Sequence, residues 1–375
     1  MRIGIDARFY GPKAKGLGRY AEKLLQYLDK IDQKNDYIVF LRKENFKKFQ
    51  PSSDNFKKVI ADFRWYSLAE QIRMPLLTRK YNLDLMHFPH FNVPLFYQGK
   101  FIVTIHDLIL TRFPTERAST LGPFLYKMKH LLYKLVIRQA IKKAQKIITV
   151  SNFSKKDIED NFPLAKGKVS VTYEATSDFK KTIANIDSEA FFQKYKFKPP
   201  YILYVGNAYP HKNLEKFIKV FKLLEKKGIA PYFVLVGKMD YFFQRLKKYV
   251  KELKLSKRVK FLGYVSDEEL KFLYQKAKLY VFPSLIEGFG LPPLEAMSQG
   301  LPVLSSNQSC LPEVLGHAAE YFNPKDLDNM AEKLEYLLKN KETREMMREK
   351  GYQQVKKYKW INLAQKTLSI YELNN

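Results

Sequence analysis

The chain is poor in cysteine, in long apolar runs and in acidic residues. Its single cysteine, Cys310, excludes an internal disulfide framework, so nothing points to an oxidising compartment. No run approaches the roughly 18 apolar residues that a membrane-spanning helix requires. The opening MRIGIDARF is interrupted by Arg2, Asp6 and Arg8, which leaves no secretory apolar core there. A cytoplasmic protein is expected. Asp and Glu total 38 against 66 Lys and Arg, a net charge of +28. Such an excess predicts attraction to polyanions, whether nucleic acid, anionic lipid or phosphorylated substrates. Lysine is spread over the whole chain, without a zinc-ligand set, an RNP-type aromatic motif or a recognition helix, so no specific nucleic-acid recognition is expected. The shortage of acid is most marked between Arg117 and Lys156, which hold ten Lys or Arg and no Asp or Glu.

At 375 residues and 46% hydrophobic content, two packed domains of about 150–200 residues each are expected. Short β-branched or apolar runs recur at Arg2–Asp6, Tyr37–Leu41, Val59–Ala61, Leu85–Phe88, Phe101–Ile105 and Ile147–Val150. A second series begins with Tyr201–Val205, followed by Phe233–Val236, Val259–Val265 and Leu279–Phe282. Both series alternate with helical stretches, the pattern of parallel, doubly wound sheets. Ligands of such sheets sit at the carboxyl ends of strands. His106 stands at one such end, with His87 and His90 beside the neighbouring one; a lone histidine there is more often structural than chemical. The glycines of Gly16-Leu17-Gly18 lie between the first strand and a helix expected from about Arg19 to Leu28, where a turn can bring backbone N–H groups to a phosphate. Two glycines in a loop are weak evidence by themselves.

The most informative stretch is Phe282 to Met297, FPSLIEGFGLPPLEAM. It places Glu287 and Glu295 eight positions apart, around a turn made by Gly288, Gly290, Pro292 and Pro293 and followed by a helix start. A strand, a glycine turn and a helix end make an anion site, since backbone N–H groups and the positive helix end face the mouth of the turn. Glu287 lies within reach of a ligand held there. Glu295, one turn inside the helix, can accept two hydrogen bonds from a diol such as a ribose. The plain alternative is a pair of glutamates favoured by the helix dipole.

The whole run closely resembles the E-x7-E signature of retaining glycosyltransferases of family 4, through the pattern S-x-x-E-G-F-G-L-P-x-L-E-A-M. The resemblance spans most of the chain and is strongest from Tyr201 to Val314. It implies an α/β GT-B fold, two Rossmann-like doubly wound domains facing a cleft. The boundaries expected are 1–185 for the N-terminal, acceptor-side domain, completed by a C-terminal helix at 358–375, and 195–357 for the nucleotide-sugar domain, with the hinge near Pro199-Pro200. By resemblance Glu287 holds the donor sugar, Glu295 the ribose, and His106 a hexose hydroxyl. Gly16, Gly18 and the backbone of Gly288, Phe289, Gly290 and Leu291 line the diphosphate, and the segment ending at Tyr264 contacts the base. Gly206-Asn207-Ala208-Tyr209-Pro210-His211-Lys212 occupies the place of the family's G-G-R-x-x-x-x-K. Lys212 matches the lysine that neutralises the leaving diphosphate, whereas Asn207 stands where arginine is usual. Help from Asn207, His211 or the helix end is the expected compensation.

The implied reaction moves a hexose from a nucleotide sugar, GDP-mannose favoured and a UDP-sugar the alternative, to a hydroxyl of a glycan or lipid-linked acceptor. No cofactor is expected, the nucleotide sugar being a substrate. No metal is expected either, because the one D-x-D, Asp326-Leu327-Asp328, reads as a helix cap. Three rivals stand beside this reading: a sugar-nucleotide epimerase on the same fold, a non-catalytic nucleotide-sugar-binding protein, and a polyanion-binding protein.

In the acid-free segment, Leu121, Phe124, Leu125, Met128, Leu131, Leu132, Leu135 and Val136 fall on one helical face, expected to be the core stripe. Tyr126, His130, Tyr133, Ile137 and Ile141 form the opposite face, flanked by Lys127, Lys129, Lys134 and Arg138. If that second face points outward it suits an anionic membrane, placing the protein peripherally at the inner membrane surface. The alternative is that neighbouring elements cover it.

Overall fold

The computed structural model describes residues 1–11, 14–114, 122–176, 186–229 and 231–373, without the side chains of Lys15, Pro123 and Leu125. The chain forms two compact units, one built on the N-terminal sheet and completed by the segment from Lys359, the other running from Ala175 to Tyr358. The connector expected near Pro199 lies earlier. The helix Ser188–Tyr195 belongs to the second unit, where Phe191 packs on Phe272 at 4.8 Å and Lys194 pairs with Glu269. Residues 177–185, which include the expected end of the first domain, are outside the described residues.

The first unit holds seven strands: β1 (Arg2–Asp6), β2 (Asp36–Leu41), β3 (Phe56–Ile60), β4 (Leu85–Phe88), β5 (Phe101–Thr104), β6 (Lys146–Thr149) and β7 (Val169–Val171). Their order is β3-β2-β1-β4-β5-β6-β7, and every pairing is parallel. Central strands buried on both faces explain the continuous apolar runs in place of alternation. On one face a single core joins Met74 of the helix Leu68–Arg79, Ile137, Ala140 and Ile141 of the helix Pro123–Lys143, and Ile158 of the helix Asn152–Asn161. Elsewhere in this unit the first helix, Lys15–Ile31, packs against the C-terminal helix Trp360–Glu372. Tyr371 of the latter donates to or accepts from Nδ1 of the buried His87 at 2.6 Å.

The second unit holds β8 (Tyr201–Val205), β9 (Tyr232–Val236), β10 (Val259–Gly263), β11 (Leu279–Phe282), β12 (Val303–Ser306) and β13 (Ala319–Phe322). They form a parallel sheet ordered β10-β9-β8-β11-β12-β13. Strand β13 was not anticipated: Ala-Glu-Tyr-Phe carries no apolar run and becomes a strand by pairing with β12 at the sheet edge.

Three local expectations change. The first helix begins at Lys15, so Gly16 and Gly18 lie in its first turn and not in the preceding loop. A Cβ on Gly18 would stand 1.9 Å from the Gly11 carbonyl oxygen and 2.7 Å from that of Phe9, which makes Gly18 a packing glycine. The sequence suggests Ser154 as the cap of a helix starting at Lys155; the helix instead starts at Asn152, capped by Ser151, which accepts from the Ser154 N–H inside the first turn.

The third change concerns the basic helix. The stripe expected to be core is mostly exposed, with Phe124 at 77% and Leu131 at 67%, and Met128, Leu132 and Leu135 beside them, while Val136 at its end is half-buried against the core. The second stripe is the one that packs, as in the alternative that neighbouring elements cover it. Ile137 and Ile141 are buried, and Tyr133 contacts Phe91 at 5.1 Å and Thr111 Oγ1 at 2.8 Å. Leu121 and the side chain of Leu125 are outside the described residues. Both stripes are apolar at helical spacing, so periodicity does not choose between them. The docked one includes Ala140 and Ala144, whose size lets the helix sit close to the strands.

Candidate active site

In each sheet the strand order reverses at one point, between β1 and β4 in the first and between β8 and β11 in the second. Loops leaving adjacent strands in opposite directions open a crevice at their carboxyl ends, where ligands of such sheets bind. In the second unit the loop after β8 carries Asn207 to Lys212, and the loop after β11 carries Glu287.

Lys212 and Glu287, 75 residues apart, meet there with Nζ and Oε1 separated by 2.5 Å. Both side chains are mostly buried, at 12% and 9% exposure, so the pair is held in a poorly hydrated setting where charge acts strongly. The Lys212 ammonium also lies 5.2 Å from the centre of the Phe282 ring. The Leu285 N–H donates to the His211 carbonyl, tying the two loops together, and the Glu287 N–H donates to Ser309 Oγ at 3.0 Å. Ser309 adopts a left-handed φ of 56°, which turns its hydroxyl towards Glu287; nothing in its sequence context signals this.

Gly290 caps the helix Leu291–Ser298 with φ of 90°, a conformation that favours glycine. Pro292 and Pro293 lack N–H groups, so backbone donors at this helix start can come only from Gly288, Phe289, Gly290, Leu291 and then Leu294. Glu295 is buried one turn in, where Tyr274 donates its hydroxyl to Oε2 at 3.3 Å. Tyr274 is a second contributor that carries no sequence signal.

At the end of β8, Gly206 and Gly237 approach so closely that a Cβ on Gly237 would meet the Gly206 carbonyl oxygen at 2.0 Å. Asn207 Oδ1 accepts from the Tyr209 N–H of its own loop at 3.3 Å. His211 does not supply the missing positive charge. Burial, aided by the Lys212 ammonium, pushes it down to about 4, so it is neutral near pH 7. Tyr264 follows β10 with its side chain 84% exposed. Asp326 caps the helix Leu327–Lys339, accepting from the Asn329 N–H.

In the first unit His106 lies just past β5. Its Nδ1 faces Glu174 Oε1 at 3.2 Å, its Nε2 faces the Pro89 carbonyl at 3.1 Å, and its ring stands edge-on to Tyr20 at 4.7 Å. A carboxylate and a carbonyl only accept hydrogen bonds, so the ring satisfies both when both nitrogens carry protons. Burial, the largest single influence, lowers its pKa. Glu174 outweighs it by hydrogen bond and charge, helped by Pro89 and Asp107, and the net direction is upward. Burial and the His106 charge push His87 and His90 down to about 3. With both ring nitrogens engaged, His106 reaches a sugar hydroxyl only by giving up one of these partners. Glu174 was not anticipated; the clue was an acid just after the last strand of its sheet.

The profile described as glycosyl transferases group 1 matches residues 187–354, and that of glycosyltransferase family 4 matches residues 14–176. The O-antigen chain mannosyltransferase RfbU of Salmonella typhimurium is 31% identical over 265 residues, 70% of this chain and 67% of that one. The chain belongs to this glycosyltransferase family. O-antigen chain mannosyltransferase B of Escherichia coli is 28% identical over 375 residues, 96% of both chains. Among solved structures, sucrose-phosphate synthase from Thermosynechococcus elongatus superposes with a TM-score of 0.77 at 18% identity, covering 100% of this chain and 98% of that one. The glycosyltransferase therefore has the GT-B fold, each unit carrying one of its two parallel-sheet domains.

Proposed function

We propose that this glycosyltransferase moves mannose from GDP-mannose to a hydroxyl of a growing glycan or lipid-linked acceptor, with retention at the anomeric carbon and no required divalent metal. The meeting of Lys212 and Glu287 at the crevice of the second sheet is the observation that carries the reading. When the glycosidic bond to the nucleotide breaks, negative charge develops on the diphosphate. A buried ammonium stabilises that charge without reorganising at the moment of reaction. Before donor binds, Glu287 keeps Lys212 in place. With donor bound, the ammonium turns to the diphosphate and the Glu287 carboxylate accepts from sugar hydroxyls. Glu295, oriented by Tyr274, takes the ribose diol. Gly206, Asn207 and the backbone of Gly288, Phe289, Gly290 and Leu291 line the phosphates, and Tyr264 offers its backbone near the base. The names of the Escherichia coli and Salmonella relatives support mannose as the sugar and a polysaccharide chain as the acceptor.

Thermal unfolding with GDP, UDP and ADP tests the donor. A ligand at ~100 times its Kd adds roughly 2.7 kcal/mol, a shift of several degrees. GDP alone is expected to shift the midpoint, and Glu295→Ala to abolish the shift. A selective UDP shift overturns the mannose assignment while keeping the transferase, and transfer of labelled mannose that survives EDTA tests metal independence.

A further inference from the structure

We propose that the outer faces of the helices Leu68–Arg79 and Pro123–Lys143, together with Phe96 between them, form one surface that docks on an anionic lipid bilayer. Both helices pack on the same side of the first sheet, through Met74 on one and Ile137, Ala140 and Ile141 on the other. The loop between β4 and β5 bridges them. The Leu95 N–H donates to Gln71 Oε1 at 2.7 Å, and Lys143 Nζ donates to the Leu95 carbonyl at 3.3 Å.

Away from the sheet each helix presents an apolar stripe. Leu68, Ile72 and Leu76 follow one another at four-residue spacing, with Leu68 86% exposed. Phe124, Met128, Leu131, Leu132 and Leu135 continue the surface on the second helix, over about 17 Å at 1.5 Å per residue. Phe96 is exposed in the bridging loop. Solvent-facing leucines and phenylalanines gathered on neighbouring elements mark an interaction site and not ordinary surface.

Charge selects the occupant. Arg73, Arg79, Lys127, Lys129, Lys134, Arg138, Lys142 and Lys143 are exposed on the two helices, and their one acid, Glu70, is buried against Arg8. A second copy laid face to face would set these cations against one another. Nucleic acid would satisfy the cations and leave the leucines without a partner. A bilayer with anionic headgroups satisfies both, cations at the phosphate level and apolar side chains below it. No helix among the described residues is long and apolar enough to cross a membrane, so the mode is surface docking.

The test is cosedimentation of the full chain with phosphatidylcholine vesicles, with and without phosphatidylglycerol. Wild type is expected to partition onto the phosphatidylglycerol vesicles. Leu131→Gln/Leu135→Gln should weaken partitioning about tenfold or more, because apolar burial is lost. Lys134→Gln/Arg138→Gln should weaken it about thirtyfold, with salt acting in the same direction. Both variants replace exposed side chains and should keep the wild-type unfolding midpoint. Lys212→Ala should bind vesicles as wild type does, which separates this surface from the transfer chemistry. Leucine variants that bind like wild type overturn the proposal, since attraction then comes from overall charge alone. Equal binding to neutral vesicles, DNA binding as strong as vesicle binding, or a concentration-dependent dimer dispersed by the leucine changes also overturns it.

Discussion

The two sheets share one strand order over six strands, which the first extends by β7, and put different charge arrangements at the carboxyl ends of their strands. In the second unit a cation and a carboxylate from different loops pair with each other and with little else, so both can exchange that partner for a ligand. In the first unit the titratable groups are tied into the protein. His106 is held by Glu174 and Pro89, His87 by Tyr371 and Thr104, and Arg8 by Asp6 and Glu70. An ion pair ready to exchange suits chemistry on a charged leaving group; side chains engaged by protein partners suit a rigid wall, although Nη1 of the buried Arg8 has none. The contrast teaches that equivalent places in a repeated architecture need not share a role.

The strongest way to break the contrast is to remove the exchangeable pair. Lys212→Ala and Glu287→Gln are each expected to lower kcat about 10²–10³-fold, the usual scale for losing one preorganised electrostatic contact. A loss below tenfold in sugar transfer would move the active site elsewhere. Because burying one member without the other is costly, the double variant should unfold closer to wild type than Glu287→Gln does.

The two glycines of the first helix should separate next. Gly18→Ala drives a Cβ into the Gly11 carbonyl and should cost about 1–3 kcal/mol, read as a lower urea midpoint. Nothing lies within 4 Å of a Cβ on Gly16, so Gly16→Ala should leave the midpoint unchanged. Any loss of donor affinity in Gly16→Ala then reports a phosphate contact.

The first unit's side is sharpened by pH. His106 has its pKa raised above the ordinary 6.5, so its interaction with Glu174 stabilises fully below that value and is lost as pH rises through the folded-state pKa. His87 and His90, pushed down to about 3, act oppositely: their neutral burial stabilises above 6.5 and is lost as pH falls towards 3. Imidazole resonances followed by NMR should show His106 titrating last among the three, and Glu174→Gln should bring it down. An unmoved His106 titration in Glu174→Gln would remove the ion pair from the account. The smallest effect expected is from Tyr274→Phe, which removes one donor to Glu295 and should weaken nucleotide binding about fivefold, measured by calorimetry.

Much was legible in residue order alone. Strand runs buried on both faces announce a parallel sheet without tertiary information, and the glycine turn with its two glutamates marks the crevice after β11, because both signals depend on local spacing. The lysine of the β8 loop was legible for the same reason. Its contact with Glu287 was not legible: resemblance assigns both residues to the donor, but 75 residues separate them and only the fold pairs them. Ser309 and Tyr274 were not legible, and Glu174 only as an acid just after a strand: each reaches its partner through loop conformation or strand neighbourhood that composition does not encode. The helix Pro123–Lys143 shows the limit most directly. Its order of residues supplies two apolar stripes, and helical periodicity treats them as equals. The partners waiting on β4, β5 and β6 chose the face with Ile137, Ala140 and Ile141, and so left the leucines to the outside. Local periodicity settles which elements form. Burial is a property of pairs of surfaces, and only the assembled tertiary structure brings both members of a pair together.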